Sequence, residues 1–334
     1  MSAQRGPVSL GAVLCLAANV GMAQDLEVDT TFRITGFADA RTGEEAQTLL
    51  TGRLDAFLMA NGIWDGGSLN AHLEYMDGDD FLGLGAGGGI WPTNVYAAVP
   101  RVSGDNNASF SLTFSHRFND SVGLSFGKFN VVDLADQAPL VGGRGKGGFQ
   151  YTGIAAPPSF VFPPYVFGAS LSVVTDRVNY SLLVYDANNA QGQDYWDDVF
   201  ADGVVFNGSA TYKATAAGLP GFYTANLVWS TKESTDFTSG APGSEFSGFL
   251  ERTDGVGIAT FKFQQYLSYD QAKPDEGWGV FGQVSVGSDG NQLDSLFVLG
   301  LAGTSPINGR SRDRWGAAGA AYNLSLIHIS EPTR

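Results

Sequence analysis

The sequence has little cysteine, histidine and positive charge. Its 334 residues contain 1 Cys and 3 His, and 19 Lys and Arg oppose 34 Asp and Glu, for a formal net charge of -15. One Cys excludes a disulfide framework and a cysteine-based zinc site, and His72, His116 and His328 are isolated from one another in the chain. Each phosphate contact needs a Lys or Arg, so the charge balance argues against nucleic acid. We therefore expect no nucleic-acid partner, no metal and no cofactor.

Long apolar runs are also absent beyond the N-terminus, where no stretch approaches the roughly 20 residues of a membrane helix. The N-terminus has the features of a secretory signal peptide: Arg5 precedes an apolar segment, and small residues flank a cleavage position before Gln24. We expect residues 1–23, which include Cys15, to be removed. An exported chain without a membrane helix is either soluble or a β-barrel.

Apolar and polar side chains alternate in many segments of about ten residues, which is the length of a tilted β-strand that crosses a bilayer. Between positions 68 and 75, Leu69 and Leu73 share one face, whereas His72 and Glu74 share the other. The 45 Gly residues and 12% aromatics suit an ordered, turn-rich β-protein. The pattern predicts an all-β fold.

The predicted strands, about thirteen between Thr31 and Leu324, are joined by connections that alternate in length. Long, Gly-, Asp- and Ser-rich connections alternate with tight turns such as Asn119–Ser121. Outer-membrane barrels have this asymmetry, whereas a secreted β-sandwich need not sort its loops by side. The sequence thus predicts a transmembrane antiparallel β-barrel. The predicted long connections are Asp77–Ala108, Asn130–Tyr165, Asp186–Gly203 and Lys232–Asp254.

Four segments resemble the carbohydrate-selective porins of the OprB type. Residues 51–79 (TGRLDAFLMANGIWDGGSLNAHLEYMDGD) are similar to an early strand, turn and strand of that family, and residues 114–136 (FSHRFNDSVGLSFGKFNVVDLAD) to its next hairpin. The paired prolines before residues 167–169 (FGA) and the late segment 277–283 (GWGVFGQ) are similar to later strands. The resemblance spans roughly residues 30–323. It implies a passive monosaccharide channel of about sixteen strands, narrowed by inward-folded loops.

The C-terminal end departs from this pattern. An odd number of strands would leave two unpaired edges in lipid, so the resemblance implies about three further strands. Residues 325–334 (SLIHISEPTR) resemble translated sequencing-adapter sequence. We therefore expect an incomplete barrel over residues 24–324 and a non-native tail; a genuine periplasmic or surface tail is the alternative.

Two catalytic motifs occur without the structural context that each requires. Gly123–Gly127 matches G-x-S-x-G, but Ser125 lies within a predicted strand instead of a strand-to-helix turn. Gly83–Gly88 matches G-x-G-x-x-G, but the residues that follow, Ile-Trp-Pro, do not begin a helix that could bind a pyrophosphate. We therefore predict that the protein is not an enzyme.

Charged residues on the predicted inner faces are candidates for sugar contacts, because a neutral, hydroxyl-rich solute needs polar partners. The segment Asn130–Pro164 is the candidate constriction, since its glycines and paired prolines allow it to fold back into the channel. For each residue the alternative is an ion pair that holds the wall together. The predicted pore-lining residues are Arg53, Asp55, His72, Glu74, Arg117, Asp133, Arg144 and Lys146.

The sequence and the resemblance together predict a passive channel for small carbohydrates in the outer membrane of a Gram-negative bacterium. Its expected partners are the sugars, membrane lipid and lipopolysaccharide. Two alternatives remain open: a general porin without sugar preference, and a secreted β-rich sugar-binding protein. A monomer and a homotrimer are both compatible with the sequence.

Overall fold

The structure is a computed structural model, and it describes most of the chain between positions 26 and 324. The predicted signal peptide (1–23) and the predicted tail (325–334) lie outside the described residues. The described residues are 26–41, 47–79, 85–86, 91–92, 107–135, 140, 148–149, 151, 154, 163–191, 194–235, 252–291, 293–305, 307, 309–310 and 313–324.

Thirteen strands form one antiparallel sheet in which every strand pairs with its neighbours in sequence. The predicted all-β class and strand number are therefore confirmed, although the first strand begins at Glu27 instead of Thr31. The first and last strands form the edges of the sheet, and no pairing between them occurs within the described residues. The strands are β1 (Glu27–Arg41), β2 (Gln47–Asn61), β3 (Gly67–Gly78), β4 (Ala108–Arg117), β5 (Val122–Asn130), β6 (Tyr165–Val174), β7 (Val178–Asp186), β8 (Val204–Ala216), β9 (Leu219–Ser230), β10 (Val256–Asp270), β11 (Lys273–Gly287), β12 (Leu293–Thr304) and β13 (Arg314–Leu324).

The other described elements are short. A five-residue helix, α1 (Val131–Ala135), directly follows β5, and a 3₁₀ turn spans Asp194–Asp197. Two-residue ladders pair Gly85–Ala86 with Trp91–Pro92 and Ser234–Thr235 with Arg252–Thr253. Within the described parts of the chain, no helix has the length and apolar character that a membrane span requires.

The strands expose apolar side chains on one face and bury polar side chains on the other. On β3, Leu73 is 50% exposed, whereas its neighbours His72 and Glu74 are buried. This is the reverse of a water-soluble sheet and is what strands in contact with lipid require. The same outward face carries the exposed side chains of Phe32, Ile34, Phe110, Phe126, Leu227, Phe261 and Phe297.

The four predicted long connections are present, but the sorting by length is incomplete. The connection between β12 and β13 (305–313) is longer than those between β1 and β2 (42–46) and between β11 and β12 (288–292), which lie at the other end of the sheet. The four long ones, between β3 and β4, β5 and β6, β7 and β8, and β9 and β10, all lie at one end of the sheet, which we call the long-loop end. The opposite, short-turn end holds turns such as residues 175–177. The predicted turn Gln271–Glu276 is shorter than expected, because Lys273 already pairs with Asp270.

At the short-turn end, a clamp of two hydrogen bonds holds the β2–β3 turn against the end of β4. The Trp64 indole N–H donates to His116 Nδ1 at 3.0 Å, and the Arg117 N–H donates to the Gly66 carbonyl at 2.8 Å. Gly67 admits the Trp64 ring, since a Cβ at this position would lie 2.1 Å from a ring carbon. The clamp fixes the β2–β3 turn against the end of β4.

We expect Trp64→Phe to lower the free energy of unfolding by about 1 kcal/mol, because it keeps an aromatic ring but removes the hydrogen bond to His116. Urea-induced unfolding in lipid vesicles, followed by tryptophan fluorescence, measures this loss. Trp229→Phe is the matched control, since the indole N–H of Trp229 has no hydrogen-bond partner among the described residues and its ring is exposed. Equal effects of the two substitutions would contradict the clamp.

Candidate functional site

A charged cluster forms on the inner faces of β2 and β3. Arg53 Nε donates to Asp55 Oδ1 at 2.8 Å, and Arg53 Nη2 donates to Glu74 Oε1. Alternation places Arg53 and Asp55 on one face of β2, and the strand register places Asp55 directly opposite Glu74 on β3. The three side chains are almost completely buried. A guanidinium therefore bridges two carboxylates on adjacent strands.

His72 extends the cluster from β3 to α1. Its Nε2 lies 3.0 Å from Asp55 Oδ1, and its Nδ1 lies 2.7 Å from Asp133 Oδ2. An ionised carboxylate only accepts hydrogen bonds, so both ring nitrogens must donate. The contacts thus fit an imidazolium held between two carboxylates. Asp133 reaches His72 because α1 begins where β5 ends and carries Asp133 over the inner wall.

Glu74 is the most enclosed member of the cluster, with 0% of its surface exposed. Its Oε1 accepts from Arg53, and its Oε2 accepts from Asn130 Nδ2 at 3.0 Å and from the Tyr165 hydroxyl. A solute in the interior cannot touch this carboxylate in the observed arrangement.

An open cavity of about 660 Å³ lies along the inner faces of β1 to β5, beside the cluster. Arg53, Asp55 and His72 contribute little accessible surface to it, whereas the Asp133 side chain is 37% exposed. Other accessible polar side chains that line the cavity are Asp29, Thr31, Arg33 and Asn70.

Phe57 is the aromatic ring at the centre of this wall. The Arg33 guanidinium carbon lies 5.3 Å from its ring centroid, and the His72 imidazole stacks on the ring at 4.0 Å. The two charged groups face the π-system of Phe57, as cation–π contacts require. The ring therefore helps to position the charged groups.

The predicted constriction segment contacts the opposite wall, at β10, β11 and β13. The Leu140 N–H donates to Gln264 Oε1 at 2.8 Å, and the Phe149 ring lies 5.3 Å from Phe281. Apolar side chains of these strands, among them Tyr266 and Phe281, form one buried cluster with Leu140, and Arg314 of β13 donates to the Leu140 carbonyl. The described parts of this segment thus reach from the charged cluster on β2 and β3 to the far side of the interior.

The cluster also brings together groups that could ligate a metal ion, which the isolated His positions had not suggested. Asp55, His72 and Glu74 offer ligand atoms within 4.8 Å of one another. However, both Glu74 oxygens accept hydrogen bonds, and Arg53 already supplies positive charge to both carboxylates. A cation would have to displace the guanidinium, so the arrangement suits a closed ion network better than a metal site.

The structure brings five of the eight predicted pore-lining residues together: Arg53, Asp55, His72, Glu74 and Asp133. Arg117 lies apart from them, exposed at the end of β4 beside the short turns, because its register position places it opposite Gly123 near the β4–β5 turn. Arg144 and Lys146 lie outside the described residues.

Sequence reasoning missed several residues that face the interior. Arg33 was available from the alternation Phe32-Arg33-Ile34, in which the two apolar neighbours face outward. Lys262 is an exposed, inward-facing cation on β10, and the alternation with outward Phe261 could have found it. No local signal marks Tyr165, whose contact with Glu74 spans 91 positions.

Comparison with known proteins identifies the family. The model of the carbohydrate-selective porins, OprB family, matches residues 10–327. OprB of Pseudomonas putida superposes with a TM-score of 0.66 at 14% identity, covering 90% of this chain and 75% of that chain. OccAB1 of Acinetobacter baumannii gives a TM-score of 0.42 at 10% identity, covering 89% and 80%. Among curated proteins there is no significant match. The superposition with P. putida OprB supports the porin fold, and the family match covers nearly the whole sequence.

The chain therefore belongs to the OprB family of carbohydrate-selective porins and forms a sugar-selective channel in the Gram-negative outer membrane.

Proposed function

We propose that the sugar is held in the cavity along β1 to β5, where Arg33, Asn70 and Asp133 contact its hydroxyl groups. The observation that carries this proposal is an open cavity of about 660 Å³ lined by both donors and acceptors. Cavities of about 300–1,000 Å³ suit small-molecule ligands. Arg33 donates, Asp133 accepts and the Asn70 amide does both, which matches the mixed hydrogen-bonding character of a sugar hydroxyl.

The charge distribution of this wall favours a neutral solute. Positive and negative side chains lie next to one another, so neither sign dominates the cavity. An ion is therefore attracted less strongly to this cavity than to one lined by charges of a single sign. In this proposal, Arg53, Asp55 and His72 lie behind the accessible side chains and contribute charge to the wall. The side chains that contribute charge are Asp29, Arg33, Arg53, Asp55, His72, Glu74 and Asp133.

The remaining predicted contacts stay proposals. Arg144 and Lys146 lie between Leu140 and Phe149 in sequence, so we propose that they face the narrow part of the channel. The exposed apolar outer face is proposed to contact membrane lipid, and the long-loop end to contact lipopolysaccharide. We propose a monomer or a homotrimer that transports by diffusion, without a cofactor and without catalysis.

We expect Asp133→Asn to weaken glucose binding by about three- to tenfold, because the substitution keeps the side-chain shape but replaces a charged acceptor. The loss of a negative charge should also shift the ion selectivity toward anions. Planar-bilayer recordings in which glucose is titrated against a salt current measure the affinity, and reversal potentials in a salt gradient measure the selectivity.

The matched control is Asp176→Asn, which removes a carboxylate from the turn between β6 and β7, outside the cavity. If Asp133→Asn keeps the glucose affinity and the ion selectivity of the wild-type protein, the proposed position of the sugar is wrong. Channels of the wild-type protein that ignore every sugar would indicate a general porin instead.

A further inference from the structure

The end of the β5–β6 hairpin departs from the wall of the sheet. Pairing between β4 and β5 stops at Leu112 and Lys128, whereas β5 and β6 remain paired as far as Asn130 and Tyr165. The last rungs of the hairpin therefore have no β4 neighbour. Their side chains are nevertheless fully or almost fully buried. Asn130 and Tyr165 contact Glu74 on β3, whereas Phe129 and Val166 belong to the buried apolar cluster that contains Leu140.

Paired glycines stand where the hairpin departs. Gly127, with a φ of 135°, is the register partner of Gly168 on β6. A Cβ at Gly127 would lie 2.3 Å from the Leu112 carbonyl oxygen, and one at Gly168 would lie 2.1 Å from the Val184 carbonyl oxygen. Any side chain would push the neighbouring backbones apart, so this bend requires glycine on both strands.

Glu74 holds the free end of the hairpin. Asn130 and Tyr165, which form its last rung, both donate to Glu74 Oε2, while Glu74 Oε1 accepts from Arg53 on β2. One carboxylate thus joins β2, β3, β5 and β6. The Val131 N–H donates to the Pro164 carbonyl at 2.9 Å immediately beyond this rung, so the rung is the base of the constriction segment.

The same contact positions α1 and its acidic side chain. The Asn130 side chain donates its amide to Glu74 and accepts from the Val132 N–H at 2.9 Å through Oδ1. Moving Asn130 would therefore move the start of α1. Asp133, which reaches both His72 and the cavity, would move with it.

We propose that Glu74 is a positioning residue: it latches the β5–β6 hairpin end over the inner wall and thereby sets the width and the sugar affinity of the channel without touching the sugar. Only the statement that Glu74 sets the sugar affinity rests on the proposed position of the sugar. The width part follows from the contacts of Glu74 and holds for any permeating solute.

The test compares Glu74→Gln, Tyr165→Phe and the wild-type protein in planar bilayers. We expect Glu74→Gln to raise the single-channel conductance and open-channel noise and to weaken glucose block by roughly tenfold, as for the loss of one charge-assisted hydrogen bond. Tyr165→Phe removes one donor and should shift conductance, noise and affinity in the same direction by less. If Glu74 only stabilised the fold, the variants would form fewer channels, and each channel would have the wild-type conductance and glucose affinity.

Glu233→Gln is the matched control, because Glu233 also pairs with an arginine, Arg252, but the pair is exposed and outside the cavity. If Glu74→Gln does not fold, Tyr165→Phe decides the question, since it keeps the carboxylate and its pairing with Arg53. Wild-type conductance, noise and glucose affinity in the folded variants would overturn the latch. If glucose fails to block the wild-type channel, the proposed sugar position is wrong. The latch is then judged from conductance and noise alone, and wild-type values of both in the folded variants would reject it.

Discussion

Replacement of Arg53 by Met is expected to lower the free energy of unfolding by about 3–5 kcal/mol, which is the usual cost of removing one partner from a buried ion pair. Arg53 contacts both Asp55 and Glu74, and all three side chains are at least nine-tenths buried. Met has a similar length and fills the space, so the loss reports on charge more than on packing. Reversible urea unfolding in lipid vesicles measures it, and the 6 Trp residues supply the fluorescence signal.

The double variant Arg53→Met with Glu74→Gln tests the cause of this loss. Glu74 and Asp55 both lose the guanidinium in Arg53→Met, but Asp55 keeps its contact with His72. Neutralising Glu74 removes the carboxylate that loses most, so the second substitution should recover part of the stability. Strictly additive losses in the double variant would show that the two side chains do not interact. The ion network on β2 and β3 would then be incidental to stability.

Leu73→Arg is expected to destabilise the folded protein in a bilayer by about 2–4 kcal/mol, the cost of a cation on the lipid face near the middle of a barrel strand. Leu73 lies near the middle of β3 and is half exposed on the apolar outer face. The guanidinium would have to stretch toward the membrane surface or draw water into the bilayer. Unfolding titrations in vesicles, compared with the wild-type protein, measure this cost.

Asn70→Arg provides the matched control on the same strand. Asn70 is exposed on the inner face and lines the cavity, so an arginine there remains in water. We expect a stability change of no more than about 0.5 kcal/mol and a shift of ion selectivity toward anions. Similar large losses from both substitutions would contradict the assignment of the two faces of β3.

The sequence by itself determined the strands, their two faces and the family. Alternation has a period of 2, so His72 and Glu74 could be assigned to one face and Leu73 to the other without any long-range information. The positions of the four long connections likewise follow from the order of the strands. These features are local, and the thirteen-stranded sheet confirmed them.

Alternation did not predict which inward-facing residues are accessible. Arg117 lies on the expected face but at the short-turn end, because the register of β4 with β5 fixes its position along the strand. Arg33 was not among the predicted pore-lining residues, although its alternation with the outward-facing Phe32 and Ile34 places it on the inner face. The face on which a side chain lies and its position along the strand are separate properties. The two-residue alternation of the sequence gives only the face.

The tertiary structure decided the different roles of Glu74 and Asp133. Both are carboxylates in the same cluster, yet Glu74 is completely buried and Asp133 is partly exposed to the cavity. The difference arises because the β5–β6 hairpin end covers Glu74, through Tyr165 from 91 positions away, and carries Asp133 into the interior. Such contacts depend on where distant segments meet. The sequence by itself therefore determined which charged residues lie on the inner wall. The path of the folded β5–β6 hairpin determined which of these charged groups a sugar can reach.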